Sequence, residues 1–141
     1  MTSVQDTFQE ALKTSGHSLT AARSRVFEAL VGQEPLSMQD LVLRASNVDR
    51  ASVYRAVELF ERIGIVQRLN TGWKYKIELT DLFTAHHHHV TCTECGATTA
   101  INEETLEQFI DRLARAHGFT PTAHQIEIQG QCLTCRSLVR E

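Results

Sequence analysis

Cys92, Cys95, Cys132 and Cys135 form two Cys-x-x-Cys pairs with 36 residues between them. Thiolates two apart on a tight turn can both face one tetrahedral zinc ion, and two such turns complete a closed four-sulfur site. Gly96, directly after the first pair, suits a knuckle in which an amide approaches a sulfur closely. A redox dithiol or buried unpaired cysteines would account for one pair. Two pairs favour structural zinc with a helix and a strand pinned between its halves.

Four consecutive histidines, His86 to His89, run up to the first pair. In extended backbone successive side chains point to opposite faces, so His86 and His88 face one way and His87 and His89 the other. One run therefore feeds two sites. His124, at the head of a later strand pattern, and Glu107, on a helix pattern, are natural third and fourth ligands. The competing explanations are a surface cluster that binds nothing and an expression tag. The run is internal and only four residues long, which argues against a tag.

No enzyme is expected. The H-x-E and P-C-x-x-C signature of a zinc deaminase does not occur, nor does H-E-x-x-H, G-x-S-x-G or a phosphate-cradling glycine loop. No catalytic residue, organic cofactor or small-molecule substrate is therefore assigned.

These residues need elements to hold them. Val4, Phe8, Ala11 and Leu12 repeat at helical spacing and stop at Gly16. Thr20 reads as the N-cap of a second helix ending at Gly32, and Ser37 with Asp40 resembles a capping box opening a short third one. A fourth helix is expected from about Arg50 to Ile63, then a hairpin from "IVQRL" and "WKYKIEL" around "NTG". Helix, turn, helix and ribbon is the order of a winged helix-turn-helix. The first turns of its second helix would meet base edges and phosphates, and here they offer Arg50, Ser52, Tyr54 and Arg55. A solvated helix face is the bland alternative, and the following hairpin favours double-stranded DNA. Beyond it, "HVTC" and "ATTAI" read as short strands, Glu103 to His117 as an amphipathic helix and "HQIEIQG" as a strand. The class is α+β, with a winged-helix domain over 1–82 and a second α/β domain over 83–141.

Charge is divided the same way. Residues 1–80 carry 10 Lys/Arg against 9 Asp/Glu, and residues 81–141 carry 4 against 8, while six of the seven histidines lie in the second part. Bulk charge does not announce a nucleic-acid partner; the local helix does. No window is apolar for the roughly 18 residues a membrane span needs, and the N-terminus lacks a secretory pattern. A cytoplasmic location and no membrane partner are the expectations, and in that compartment paired cysteines hold metal more often than disulfides.

The stretches "SLTAARSRVFEAL", "ASVYRAVELFERIGIV", "HHHHVTCTECG" and "HGFTPTAHQIEIQGQC", in this order and spacing, resemble the ferric uptake regulator (Fur) superfamily of metal-responsive repressors, leaning to its zinc-sensing (Zur-like) branch. The resemblance implies a homodimer joined through the C-terminal domain, with metal locking two winged helices onto operator DNA. It places Tyr54 and Arg55 on the recognition helix and Arg23 near the phosphates. It also puts the four cysteines on a structural zinc site, and His86, His88, Glu107 and His124 on a regulatory site for Zn²⁺ or Fe²⁺. His87 and His89 fall on a second site that Glu78 or Asp81 could complete. Iron-type members commonly read H-H-D-H where this chain has His88 in place of the aspartate. Three imidazoles and one carboxylate suit zinc. An iron-responsive repressor and a peroxide-sensing member of the superfamily are the alternatives.

Overall fold

The computed structural model describes residues 1–70 and 74–138. It divides into two compact units, Met1–Ala85 and His86–Glu141. The α+β class expected from the sequence holds.

The first unit opens with helix α1 (Val4–Thr14), α2 (Ala21–Leu30), α3 (Met38–Arg44) and α4 (Arg50–Arg62). Polar caps start each of them. The side chains of Ser3, Thr20, Ser37 and Asp49 accept from the amides of Asp6, Arg23, Asp40 and Ser52, satisfying donors that a first helical turn leaves open. The full reciprocal capping box is at Ser3 and Asp6; at α3 the Ser37 hydroxyl donates instead to the Asp40 carboxylate, at 2.8 Å.

Apolar residues at helical spacing on α1, α2 and α4 meet in one core. Phe8 stacks parallel to Phe27 with centroids 4.0 Å apart, and meets Phe60 edge-on at 5.5 Å. Phe83, expected on the far side of the domain boundary, packs edge-on against Phe27 at 5.1 Å, so the first unit extends past residue 82. Phe8 is fully buried. Phe8→Ala should cost this unit about 3–5 kcal/mol, read as a lower denaturation midpoint; an unchanged midpoint would mean the stack is not structural.

Strands β1 (Val66–Asn70) and β2 (Tyr75–Leu79) pair antiparallel. The expected hairpin turn falls largely on Thr71 and Gly72, outside the described residues. Leu36 adds a bridge that the sequence did not suggest. Its N–H donates to Ile77 O at 2.9 Å and its carbonyl accepts from Ile77 N–H at 2.7 Å, which ties the loop before α3 to the ribbon.

The second unit holds strands β3 (His88–Cys92) and β4 (Thr98–Ile101), helix α5 (Glu104–Ala116), strand β5 (Glu127–Gly130) and helix α6 (Leu133–Leu138). The sheet order is β4-β3-β5. β3 pairs antiparallel with β4 and parallel with β5. A parallel pair needs a long connection, and β4 with α5 supplies it. β5 starts three residues after His124, which therefore sits in the loop leading to the strand.

This unit is thinly packed. Among the described residues its only buried side chains are His88, His89, Thr91 and Cys92. Along the expected amphipathic stripe of α5, Phe109 is 54% exposed and Leu113 49% exposed, while Ile128 on β5 is 48% exposed. The stripe is real, but its own chain does not cover it.

Candidate metal centres and nucleic-acid face

The two cysteine knuckles come together where β3 and β5 end. Cys92 closes β3, and its N–H donates to Ala97 O at 2.8 Å across the first knuckle. Gly96 sits there at φ +75°, a left-handed conformation that side chains resist. Thr93 N–H donates to Gly130 O at 2.9 Å, carrying the parallel pairing one step past the strand end. Cys132 follows two residues later and Cys135 lies in the first turn of α6.

The four sulfurs lie within 4.8 Å of one another, with Cys95 Sγ and Cys132 Sγ 3.9 Å apart. Four thiolates on one zinc at ~2.3 Å would have edges of ~3.8 Å, whereas a disulfide needs ~2.05 Å. The cluster matches the tetrahedron. Its electrostatics agree. Donation from the Cys95 and Cys132 amides holds the Cys92 thiol down at about 6. Cys135 is pushed up to about 12, first by its hydrogen bond with Cys132 and then by burial. Sulfurs sharing so small a volume cannot all ionise side by side, and a divalent cation removes that penalty.

A second cluster forms at the other end of β3. His88 Nε2 lies 2.7 Å from Glu107 Oε1, His124 Nε2 lies 2.7 Å from Glu107 Oε2, and His86 Nε2 lies 3.1 Å from His124 Nε2. All four donor atoms fall within 4.8 Å. His88 is fully buried and its ring is oriented from both sides, because Nδ1 accepts from Ile126 N–H at 3.2 Å. Burial raises the Glu107 pKa, but the His88 hydrogen bond and the neighbouring imidazoles outweigh it, so the carboxyl sits below its ordinary value and is ionised at neutral pH. Three imidazoles and a carboxylate are a donor set that can hold a divalent transition metal. Seating an ion among them would replace the short imidazole–carboxylate hydrogen bonds with edges of ~3.3 Å.

The alternation expected of the histidine run is present. The His86 and His88 rings lie 4.7 Å apart, and so do those of His87 and His89. Glu78 and Asp81 belong to the first unit. Glu78 is buried on β2 and accepts from Gln67 Nε2 at 2.7 Å, while Asp81 is exposed in the turn that follows.

On the first unit, α4 presents the residues expected to meet DNA. Arg50 lays its guanidinium over the Tyr54 ring, 5.3 Å from the centroid, and donates to Tyr54 Oη at 3.3 Å. Tyr54 is 39% exposed. Ser52 is more committed to the helix than the sequence suggests. Its hydroxyl donates to Asp49 Oδ1 at 2.6 Å and accepts from Arg55 Nη2 at 3.0 Å. Arg23, Ser52 and Arg55 line one open groove of about 220 Å³ together with Thr20 and Ala22. Thr20 was legible only as a cap. Its place beside two arginines depends on how α2 crosses α4, which no local pattern reveals. Ile126 carries no sequence signal of its role, since it acts through its backbone amide.

Known proteins share this fold. A family model described as the ferric uptake regulator family matches residues 14–129. The ferric uptake regulation protein of Yersinia pestis is 33% identical over 138 residues, covering 90% of both chains. The crystal structure of the Vibrio cholerae ferric uptake regulator superposes with a TM-score of 0.73 at 28% identity, covering 89% of this chain and 99% of that one. A structure of a zinc-bound manganese uptake regulator superposes with a TM-score of 0.66 at 27% identity, covering 90% and 99%.

Proposed function

Since the chain belongs to the ferric uptake regulator family and is therefore a metal-responsive transcriptional regulator, we propose that it is a homodimeric, zinc-responsive repressor of the cytoplasm. In this reading His86, His88, Glu107 and His124 hold the corepressor ion, and Cys92, Cys95, Cys132 and Cys135 hold a structural zinc. The observation that supports zinc most directly is the imidazole of His88, fully buried and 2.7 Å from Glu107. It makes the donor set nitrogen-rich. Iron is the second reading, favoured by relatives that are named ferric uptake regulation proteins.

The bound ion would supply a fixed charge and a set of bonds between β3, α5 and the loop before β5. The residues do the rest. His88 is held in place by Ile126, Glu107 stays ionised, and the apolar stripe of α5 offers a face that a second copy would cover. An ion that binds the DNA-competent dimer more tightly than other forms shifts the population toward it. No catalytic step is involved.

Operator binding titrated with buffered Zn²⁺, Fe²⁺, Mn²⁺ and Ni²⁺ tests the reading; half-saturation by zinc far outside its cellular free range would remove it. His88→Asp should shift preference from Zn²⁺ toward Fe²⁺ and Mn²⁺, because a carboxylate replaces an imidazole. An unchanged ranking of metals would show that residue 88 does not set selectivity.

We assign DNA contact to Arg23, Arg50, Ser52, Tyr54 and Arg55. Tyr54→Ala should cost about 1–3 kcal/mol on the operator and relax preference at one base position. Arg55→Ala should weaken binding to all sequences and lower the salt slope by about one. Equal losses for Tyr54→Ala on operator and random DNA would contradict its placement at base edges.

A further inference from the structure

We propose that the two metal clusters of the C-terminal unit are thermodynamically coupled through the β3–β5 ladder, so that an ion at the His86–His88–Glu107–His124 cluster protects the four-cysteine site. The inference rests on the reading that this cluster takes a metal.

The two strands connect the clusters directly. β3 begins at His88 and ends at Cys92. On β5's side, His124 lies two residues before Ile126, whose carbonyl accepts from His89 N–H at 3.4 Å. The ladder then runs from His89 opposite Glu127 to Cys92 opposite Gly130. Past its end, Thr93 N–H donates to Gly130 O at 2.9 Å and Cys132 N–H points to Cys92 Sγ at 3.4 Å. Each cluster thus clamps β3 to the β5 segment, one at either end of a ladder about 10 Å long.

Little else in the unit keeps these strands paired. Ile128 is half exposed, and neither α5 nor α6 contains a buried residue. With the ladder open, the second cysteine pair must find the first across 36 intervening residues. With the histidine cluster formed, the linking chain is only the three residues between His88 and Cys92 and the seven between His124 and Cys132. The probability of closing a loop falls as the 3/2 power of its length, so the clamp should favour the closed Cys₄ site by a factor on the order of ten. Linkage requires the reverse effect to be equal.

The test uses full-length protein carrying one zinc in the cysteine site, with Co²⁺ then added to the histidine cluster. Ligand-field absorption without thiolate charge transfer reports where cobalt binds. Sedimentation fixes a concentration at which the oligomeric state is the same with and without it. Cobalt should slow modification of the four cysteines by a thiol reagent about tenfold. Amide exchange should become slower at Cys92 and Gly130, the end of the ladder remote from the cobalt. Cobalt uptake with unchanged thiol reactivity, or protection confined to the histidine end, overturns the coupling alone. No uptake at the cluster overturns both the coupling and the regulatory-site reading beneath it.

Discussion

Replacing Cys132 with serine is expected to release the structural zinc and unfold the C-terminal unit, leaving the N-terminal unit to melt as before. The asymmetry follows from where burial lies. The first unit has a continuous core around Phe8, Phe27 and Phe60. In the second, Cys92 is the only buried apolar side chain among the described residues. Such a unit cannot rest on apolar burial within its own chain. Structural zinc contributes ~10–16 kcal/mol of apparent binding energy in small zinc-dependent folds, far above anything the exposed stripe of α5 supplies alone. Cys132 also donates its amide to Cys92 Sγ, and its carbonyl accepts from Arg136 N–H at 2.9 Å to start α6. Zinc content, and exchange protection measured separately for the two units, would check this. One bound zinc per chain with unchanged C-terminal protection would show that the cysteines are not a structural site.

His124→Ala should produce the second large effect, a loss of metal response with retention of the fold. His124 lies in a loop and is only partly buried, so its removal disturbs no strand. It nevertheless meets both Glu107 Oε2 and His86 Nε2. Changes to groups that merely orient metal ligands cost 10–100-fold in affinity, so losing a ligand should cost at least about a hundredfold. Metal-dependent operator binding should vanish at metal levels that saturate the wild type, while metal-free binding to random DNA stays the same. Operator binding that still responds normally to metal would remove the regulatory assignment. Acid should mimic the substitution, because imidazoles must be neutral to bind an ion. Glu107, whose carboxyl the His88 hydrogen bond and the neighbouring imidazoles hold below its ordinary pKa against the effect of burial, stays ionised at neutral pH.

What the sequence made legible was short-range. Thr20, Ser37 and Asp49 cap because a small polar side chain before a helical pattern has one useful thing to do. The histidine run splits into two pairs because strand geometry leaves no alternative. The four cysteines converge because their spacing suits one tetrahedron. Long-range pairing was not legible. Nothing local indicates that β5 runs parallel to β3, that Ile126 orients His88, or that Leu36 joins the ribbon. Phe83, one residue past the boundary read from the sequence, packs into the core of the first unit. The turn signals near residue 80 are real, but the next aromatic still belongs to the core behind it. The alternation of "HQIEIQG" and the stripe on α5 predicted elements correctly but not their burial. Periodicity identifies a face without saying which chain will cover it.

That uncovered face has a consequence for how much protein a cell must hold. If α5 and β5 are completed by a second copy, the folded C-terminal unit is a product of association, and its population rises with protomer abundance. The threshold at which metal silences a promoter would then not be a constant of the protein. Scarce chains would need more free ion to reach the same operator occupancy, and abundant chains less. Synthesis rate and metal supply would act as two inputs to one switch.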